Sequence, residues 1–335
     1  MSHQYDFVAI GDILMDAFIE LDKDQADVSI DMDTGRKTLM MPFGMKVPYK
    51  DVVVVPAVGN SPNAAVSAHR LGLETALVSD IGNDKFGKEC LDALRLEGIA
   101  TDYVKIHEGK ITNYHYVLRY GAERTILIQH ETYPYRLPDF PVPPRFIYFS
   151  SVGEHGIEFH HEIARYVKAH PETKLVFQPG TFQIKLGTEE LKDVYAVTEI
   201  FFCNLEEAQE ILKTTERHVP TLLRKIRDLG PKIPVITDGA NGAYTLDADD
   251  QAWFMPMYPD PSEPVDRTGA GDSFASTFTA AIALGKTPDE ALAWGPINSM
   301  SVVQYVGAQA GLLTRAKLEE YLANRPADYV ATKIS

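Results

Sequence analysis

Apolar and polar positions along the chain switch between a period of two and a period near 3.6. Residues 7–10 form a short apolar run that stops at Gly11-Asp12, which predicts a buried strand ending in a turn. Residues 63–71 carry Ala, Val and Leu at helical spacing and stop at Gly72, a residue suited to a C-terminal cap. A strand follows at 76–78, then an amphipathic helix at 87–96 that stops at Gly98. Pro134, Pro138, Pro141, Pro143 and Pro144 mark a crossing, and beyond it strands and helices alternate. Strands are expected at 146–149, 175–177, 200–203, 235–237, 243–246 and 252–255. Helices are expected at 158–169, 189–195, 205–213, 220–228, 270–284, 288–304 and 314–323. This alternation predicts a mostly parallel sheet with helices on both faces.

Two segments depart from that rhythm. Residues 20–51 interleave Asp22, Asp24, Asp27, Asp31 and Asp33 with short apolar pieces, and residues 52–55 then resume a strand. Residues 112–118 and 125–128 alternate as strands do, with Gly121-Ala122 as a hairpin turn. The two segments are expected to pair into a small sheet. The chain then divides into an α/β core of residues 1–13, 56–104 and 133–335 and a sheet of residues 14–55 and 105–132.

Charge narrows the functional classes. The 335 residues hold 32 Lys and Arg against 47 Asp and Glu, a formal charge of −15. That balance argues against a general binder of nucleic acid or anionic membrane, while leaving room for a basic pocket for one small anion. The two cysteines, Cys90 and Cys203, lie outside any CxxC, so no disulfide framework is expected and a reducing cytoplasm fits. The first residues lack the pattern of a signal peptide, and no apolar run is long enough to span a bilayer.

The most informative stretch is Asp266-Arg267-Thr268-Gly269-Ala270-Gly271-Asp272-Ser273-Phe274. Gly269, Ala270 and Gly271 leave the backbone bare where a long helix begins, and N–H groups there can hold an anion. Asp272 would repel a phosphate, which makes sense if it takes the proton from a hydroxyl attacking that phosphate. A first-turn acid that favours the helix explains the same residue. The stretch lacks the third glycine of a dinucleotide fingerprint. Gly285-Lys286-Thr287 resembles part of a phosphate loop, but it ends one helix and starts another rather than following a strand. His155, His160 and His161 match no zinc spacing and are expected on a partly exposed helix face.

The 266–272 stretch resembles the C-terminal signature of the ribokinase-like (PfkB) sugar and nucleoside kinases. Further segments resemble the family in family order. They are Gly11-Asp12 with Asp16, Gly59-Asn60-Ser61-Pro62-Asn63-Ala64-Ala65, Asp80-Ile81-Gly82-Asn83-Asp84-Lys85-Phe86-Gly87, Asn204 with Glu207, Thr237-Asp238-Gly239-Ala240-Asn241-Gly242, and Gly307-Ala308. Val58 departs from the pattern, standing where the family has a glycine, and is expected to narrow the approach to the sugar and to disfavour a positive φ.

The resemblance implies a three-layer α/β/α fold with a mostly parallel central sheet and a small β-sheet lid. It implies Asp272 as general base, with Gly269, Ala270 and Gly271 donating N–H groups to the phosphoryl charge. It implies substrate binding by Asp16, Gly59, Asn60 and Asn63, and ATP binding by Asn204, Thr237, Gly239 and Gly242. Asn204 and Glu207 would place Mg²⁺ through water, and Asp266 and Thr268 would hold K⁺ or another monovalent cation. From the residues alone, Asn204 with Glu207 is a helix cap with its first-turn acid.

The leading expectation is therefore an ATP-dependent kinase acting on a primary hydroxyl of a small sugar, as a homodimer joined through the lid. A nucleoside kinase is the rival, with Phe43, Tyr49, Tyr114 and Tyr116 either stacking on a base or packing as lid core. A non-catalytic sugar or nucleotide sensor is the alternative of another class. Against it stands Asp272, a base that a sensor would not need.

Overall fold

The computed structural model describes residues 4–32 and 35–335 of the chain; Asp33 lies outside the described residues. In chain order the strands are β1 (Phe7–Ile10), β2 (Leu14–Leu21), β3 (Asp27–Ile30), β4 (Lys37–Met40), β5 (Tyr49–Val58), β6 (Thr75–Gly82), β7 (Val104–His107), β8 (Asn113–Tyr120), β9 (Glu123–Leu127), β10 (Phe146–Phe149), β11 (Lys174–Phe177), β12 (Thr198–Asn204), β13 (Ile233–Thr237), β14 (Ala243–Leu246), β15 (Ala252–Met255) and β16 (Thr332–Ile334). The helices are α1 (Asn60–Arg70), α2 (Lys85–Leu96), α3 (Ile157–Ala169), α4 (Thr181–Leu186), α5 (Lys192–Val197), α6 (Leu205–Leu212), α7 (Val219–Asp228), α8 (Ala270–Ala283), α9 (Pro288–Leu292), α10 (Gly295–Val302) and α11 (Arg315–Ala323).

Ten strands form one sheet in the order β16-β15-β14-β13-β12-β11-β10-β1-β6-β7. The seven from β13 to β7 run parallel, and β14 to β16 close one edge antiparallel. Every residue of β1 and β10 is buried, as parallel strands covered on both faces require. Alternation splits them between two cores. Phe7, Ala9 and Tyr148 pack with Phe274 and Phe278 of α8, while Val8, Ile10 and Phe149 pack with Phe159 and Ile163 of α3. The parallel strands end along one edge, at Asp12, Gln178, Asn204 and Thr237, the edge at which open α/β sheets bind ligands.

The two departing segments do pair. They form a separate sheet in the order β5-β2-β8-β9, with β8 and β9 joined by a two-residue turn in which Gly121 has φ 66°. In β8 the inward positions Asn113, His115, Val117 and Arg119 are buried, and the residues between them are less so. Asp16 pairs with His115 and Phe18 with Val117, so these side chains share the inward face. The strand β7 belongs to the large sheet, so the small sheet is entered beyond 107 rather than at 105.

Three differences from the expected elements have local causes. The helix expected over 288–304 is split into α9 and α10, because Pro296 in the first turn of α10 cannot donate into a continuing helix. The short helix α4 was not expected; its cap is the Gln183 side chain on the N–H of Gly180, a signal too local for periodicity. His160, expected on an exposed face, is 1% exposed. Its Nδ1 bonds the Gly156 carbonyl, and burial holds its pKa down at about 4.

Candidate active site

The helix α8 starts where the sequence placed an anion loop. Gly269 caps it with φ 80°, and a Cβ there would lie 2.3 Å from Cβ of Ala308, so only glycine fits. A Cβ on Gly271 would meet nothing within 4 Å, so its backbone faces open space. Asp266 fixes the loop from behind. Its Oδ1 accepts from the N–H and hydroxyl of Thr268 (3.0 and 2.7 Å), and its Oδ2 accepts from Gly307 N–H (2.9 Å). The residues expected at a monovalent cation thus bond to each other.

Asp272 sits in the first turn of α8 and is 9% exposed. Its Oδ1 accepts from the side-chain amides of Asn60 (2.7 Å) and Gln178 (3.2 Å), and its Oδ2 from that of Asn63 (2.9 Å). Burial raises its pKa above the usual carboxylate range, and the three amides oppose that rise. Oδ2 carries one bond, so one lone pair remains for an incoming proton. Asn63 is held in turn by Gln309, which donates to its Oδ1 (3.0 Å) and to the Ala57 carbonyl (2.8 Å).

Backbone strain does not fall on Val58. The left-handed positions are Ala57 (φ 57°) and Gly59 (φ 122°), and a Cβ on Gly59 would lie 2.6 Å from the Asp12 carbonyl. Val58 instead pairs with Leu14 as the last residue of β5 and is buried.

Two cavities flank the start of α8. One, of about 290 Å³, is walled by Asn60, Gln178, Asn204, Glu207, Thr237 and Gly271. The other, of about 520 Å³, is walled by Thr237, Gly239, Gly242, Arg267, Ala270 and Gly271 among others. Thr237, Gly271 and Phe274 belong to both, so the two form one groove along the ends of β12 and β13. Asn204 and Glu207 form a reciprocal cap: Glu207 N–H donates to Asn204 Oδ1 (2.8 Å), and Asn204 N–H donates to Glu207 Oε2 (2.9 Å). Burial raises the Glu207 pKa, and its second oxygen has no hydrogen-bond partner among the described residues. A half-buried carboxylate with a spare oxygen beside an amide suits a hydrated hard cation.

Asp16 projects from the lid and lies outside the walls of both cavities. Its Oδ1 is buried without a hydrogen bond, 3.6 Å from His115 Nδ1. Burial first, then the charge of Asp266, pushes its pKa up to about 7. Beyond it runs a polar chain, from His115 Nε2 to His130 Nε2 (3.2 Å) and from His130 Nδ1 to Asp12 Oδ2 (3.3 Å). Tyr135 hydroxyl donates to Asp12 Oδ1 (2.8 Å).

The family model for the pfkB family carbohydrate kinases matches residues 30–315. The chain belongs to that family. It is 28% identical to the ribokinase of Bacillus subtilis over 272 residues, covering 79% of this chain and 87% of the relative. It is 24% identical to the ATP-dependent 6-phosphofructokinase of Thermoanaerobacterium thermosaccharolyticum over 328 residues, covering 91% and 90%. Its fold is that of Arabidopsis thaliana ribokinase, solved with ribose and ATP, with a TM-score of 0.78, 19% identity, and coverage of 96% and 99%.

In this family member Asn60, Asn204, Glu207, Thr237, Gly239, Gly242, Ala270 and Gly271 wall the groove; Asp272 and Asn63 lie behind Asn60 and Gly271 rather than in its walls, and Asp16 is set apart on the lid. Sequence reasoning missed Gln178, Gln309, His115 and His130. Each acts through a partner distant in the chain, and no local pattern marks it. The phosphate-loop lookalike is a capping box: Thr287 N–H donates to Glu290 Oε2 (3.0 Å). Both cysteines are free and buried. Among the described residues, no group of three or more His, Cys, Asp or Glu is placed to hold a metal, and no helix is long and apolar enough to cross a membrane.

Proposed function

We propose that this carbohydrate kinase transfers the γ-phosphoryl group of ATP to a primary hydroxyl of a small sugar, with Asp272 as general base. The observation that carries this reading is Asp272 itself. Its carboxylate is held by three amides, keeps a lone pair free, and follows Gly271, whose bare backbone, with Asn60 and Gln178 that bind the carboxylate, walls the two-chambered groove. The proton of the acceptor alcohol passes to Oδ2 as the oxygen attacks, and a raised pKa makes that carboxylate a better acceptor. The N–H groups of Gly269, Ala270 and Gly271, backed by the helix dipole, stabilise the phosphoryl charge. The larger chamber, with Thr237, Gly239 and Gly242, takes the nucleotide. Asn204 and Glu207 would hold Mg²⁺ through water, and the ion would neutralise phosphate charge. Asp16 and Asn63 orient the sugar hydroxyls, Gly59 gives room, and Asn60 steadies the base.

The nucleoside alternative loses support from the lid. Tyr114 and Tyr116 alternate with His115, so they lie on the face away from Asp16. Phe43, Tyr49 and Tyr116 are exposed, so the expectation that they pack as lid core fails for these three. A screen of ADP release over sugars and nucleosides, with and without K⁺, tests the substrate class. Turnover of nucleosides with none of any sugar would overturn the sugar reading. Asp272→Asn tests the enzyme against the sensor: phosphoryl transfer is expected to vanish while ATP still binds. Undiminished turnover would remove Asp272 as base.

A further inference from the structure

We propose that the inward face of the lid carries an anion subsite formed by Arg119 and Arg124, so that the sugar accepted here bears a carboxylate or phosphate group. The proposal rests on the kinase reading above and specifies its substrate.

Arg119 occupies an inward position of β8, in line with His115 and Val117, and is 8% exposed. A guanidinium taken out of water at that depth is expected to have an anion beside it. It has none. Its Nη2 donates to the Val265 carbonyl (2.9 Å), its Nε is buried without a partner, and it forms no ion pair among the described residues. Glu20 is its neighbour on β2 yet lies beyond ion-pair distance.

The residue directly opposite Arg119 on β9 is Arg124. Like charges facing across two strands repel, an arrangement that an anion lying between or beside them would relieve. The Arg124 side chain, exposed on β9, makes no hydrogen bond or ion pair among the described residues. Its neighbour Glu123 lies 3.8 Å from Arg267 instead. The pair shares the face that carries Asp16, and Val265 leads directly into the anion loop. The charge of Arg124 lowers the pKa of both Asp16 and Asp272, so it is felt at both acids proposed to touch the acceptor. Two guanidinium forks offer the parallel donors that carboxylate and phosphate oxygens fit.

The test uses the full chain and ADP release with ATP in excess. The acceptors are ribose as the neutral arm, 2-dehydro-3-deoxygluconate as the carboxylate arm and fructose 6-phosphate as the phosphate arm. At least one anionic acceptor is expected to exceed ribose in kcat/KM by about tenfold or more, since a desolvated charge pair discriminates at that level. Whichever anionic arm wins identifies the group. Arg124→Gln is expected to lower the anionic-to-neutral ratio by about 30-fold, and Arg119→Lys, which keeps the charge but loses the fork, by less. The KM of the anionic acceptor is expected to rise between about 50 and about 500 mM KCl. Ribose turnover equal to or above both anionic arms, or an unchanged ratio in folded Arg124→Gln, would overturn the subsite. If no acceptor reacted, the kinase reading itself would fail. Calorimetry of the two anionic sugars without ATP would then decide the subsite separately, with absent binding overturning it.

Discussion

Asp16 is where residue-scale physics makes the sharpest statement. Its inward oxygen is buried beside His115, and its pKa is pushed up to about 7 by burial and by Asp266. An Asp that accepts bonds from sugar hydroxyls must be ionised, so the KM for the sugar is expected to rise as pH falls below about 7. An initial-rate series from pH 5.5 to 8.5 checks it, and a flat KM would remove Asp16 from the sugar site. The same shift bears on stability. A carboxyl whose folded pKa is raised binds its proton more tightly when folded, so its contribution is fully present at low pH and is lost as pH rises from about 4 to about 7. Above that window the ionised group costs up to roughly 4 kcal/mol. Asp16→Asn is therefore expected to raise Tm more at pH 8 than at pH 5 while abolishing sugar binding. Thermal melts at the two pH values, beside the wild type, settle both parts.

At the scale of elements, the start of α8 depends on a conformation that only glycine supplies. Gly269→Ala would place a Cβ 2.3 Å from Ala308 on a residue with φ 80°. A loss of roughly 2 kcal/mol or more is expected in urea unfolding, with phosphoryl transfer falling further than stability. Asn204→Ala removes the cap of α6 and is expected to cost about 1 kcal/mol, while Asn204→Asp keeps the cap. If Asn204 also places Mg²⁺, the alanine variant will need more Mg²⁺ for half-maximal rate than its stability loss explains. This loop and cap were legible in sequence because glycine freedom and capping are local properties. The Asp272 carboxylate was legible, but what holds it was not entirely so. Gln178 lies 94 residues away and directly follows β11, a strand whose register no periodicity reveals. Gln309 reaches Asn63 across 246 residues. Arg119 was hidden differently: it sits where alternation leads one to expect an apolar side chain.

At the scale of the whole molecule, the lid leaves much of its outer face, beyond where Phe86 of α2 packs on Tyr114, uncovered. Val54, Ala17, Tyr116 and Leu127 lie in one row across its four strands, with Val52, Ile19, Leu118 and Thr125 in the next. Val52, Val54, Tyr116 and Leu127 are each between 41% and 52% exposed. A contiguous apolar sheet face flanked by open strand edges is a site of association. We expect a second copy to cover it, which would make the lid rigid over the sugar. Sedimentation at micromolar protein should then give twice 37.3 kDa. With a net charge of −15 on each copy, the association should strengthen with salt, as screening removes mutual repulsion while apolar contact persists. Val54→Glu places a charge on the edge strand β5 of that apolar face and is expected to give a monomer with a raised sugar KM, because a lid without its partner must order itself at each binding event. A wild-type monomer at all salt concentrations would refute the pairing. A monomeric Val54→Glu with unchanged KM would separate the pairing from catalysis and leave each copy closing its own lid.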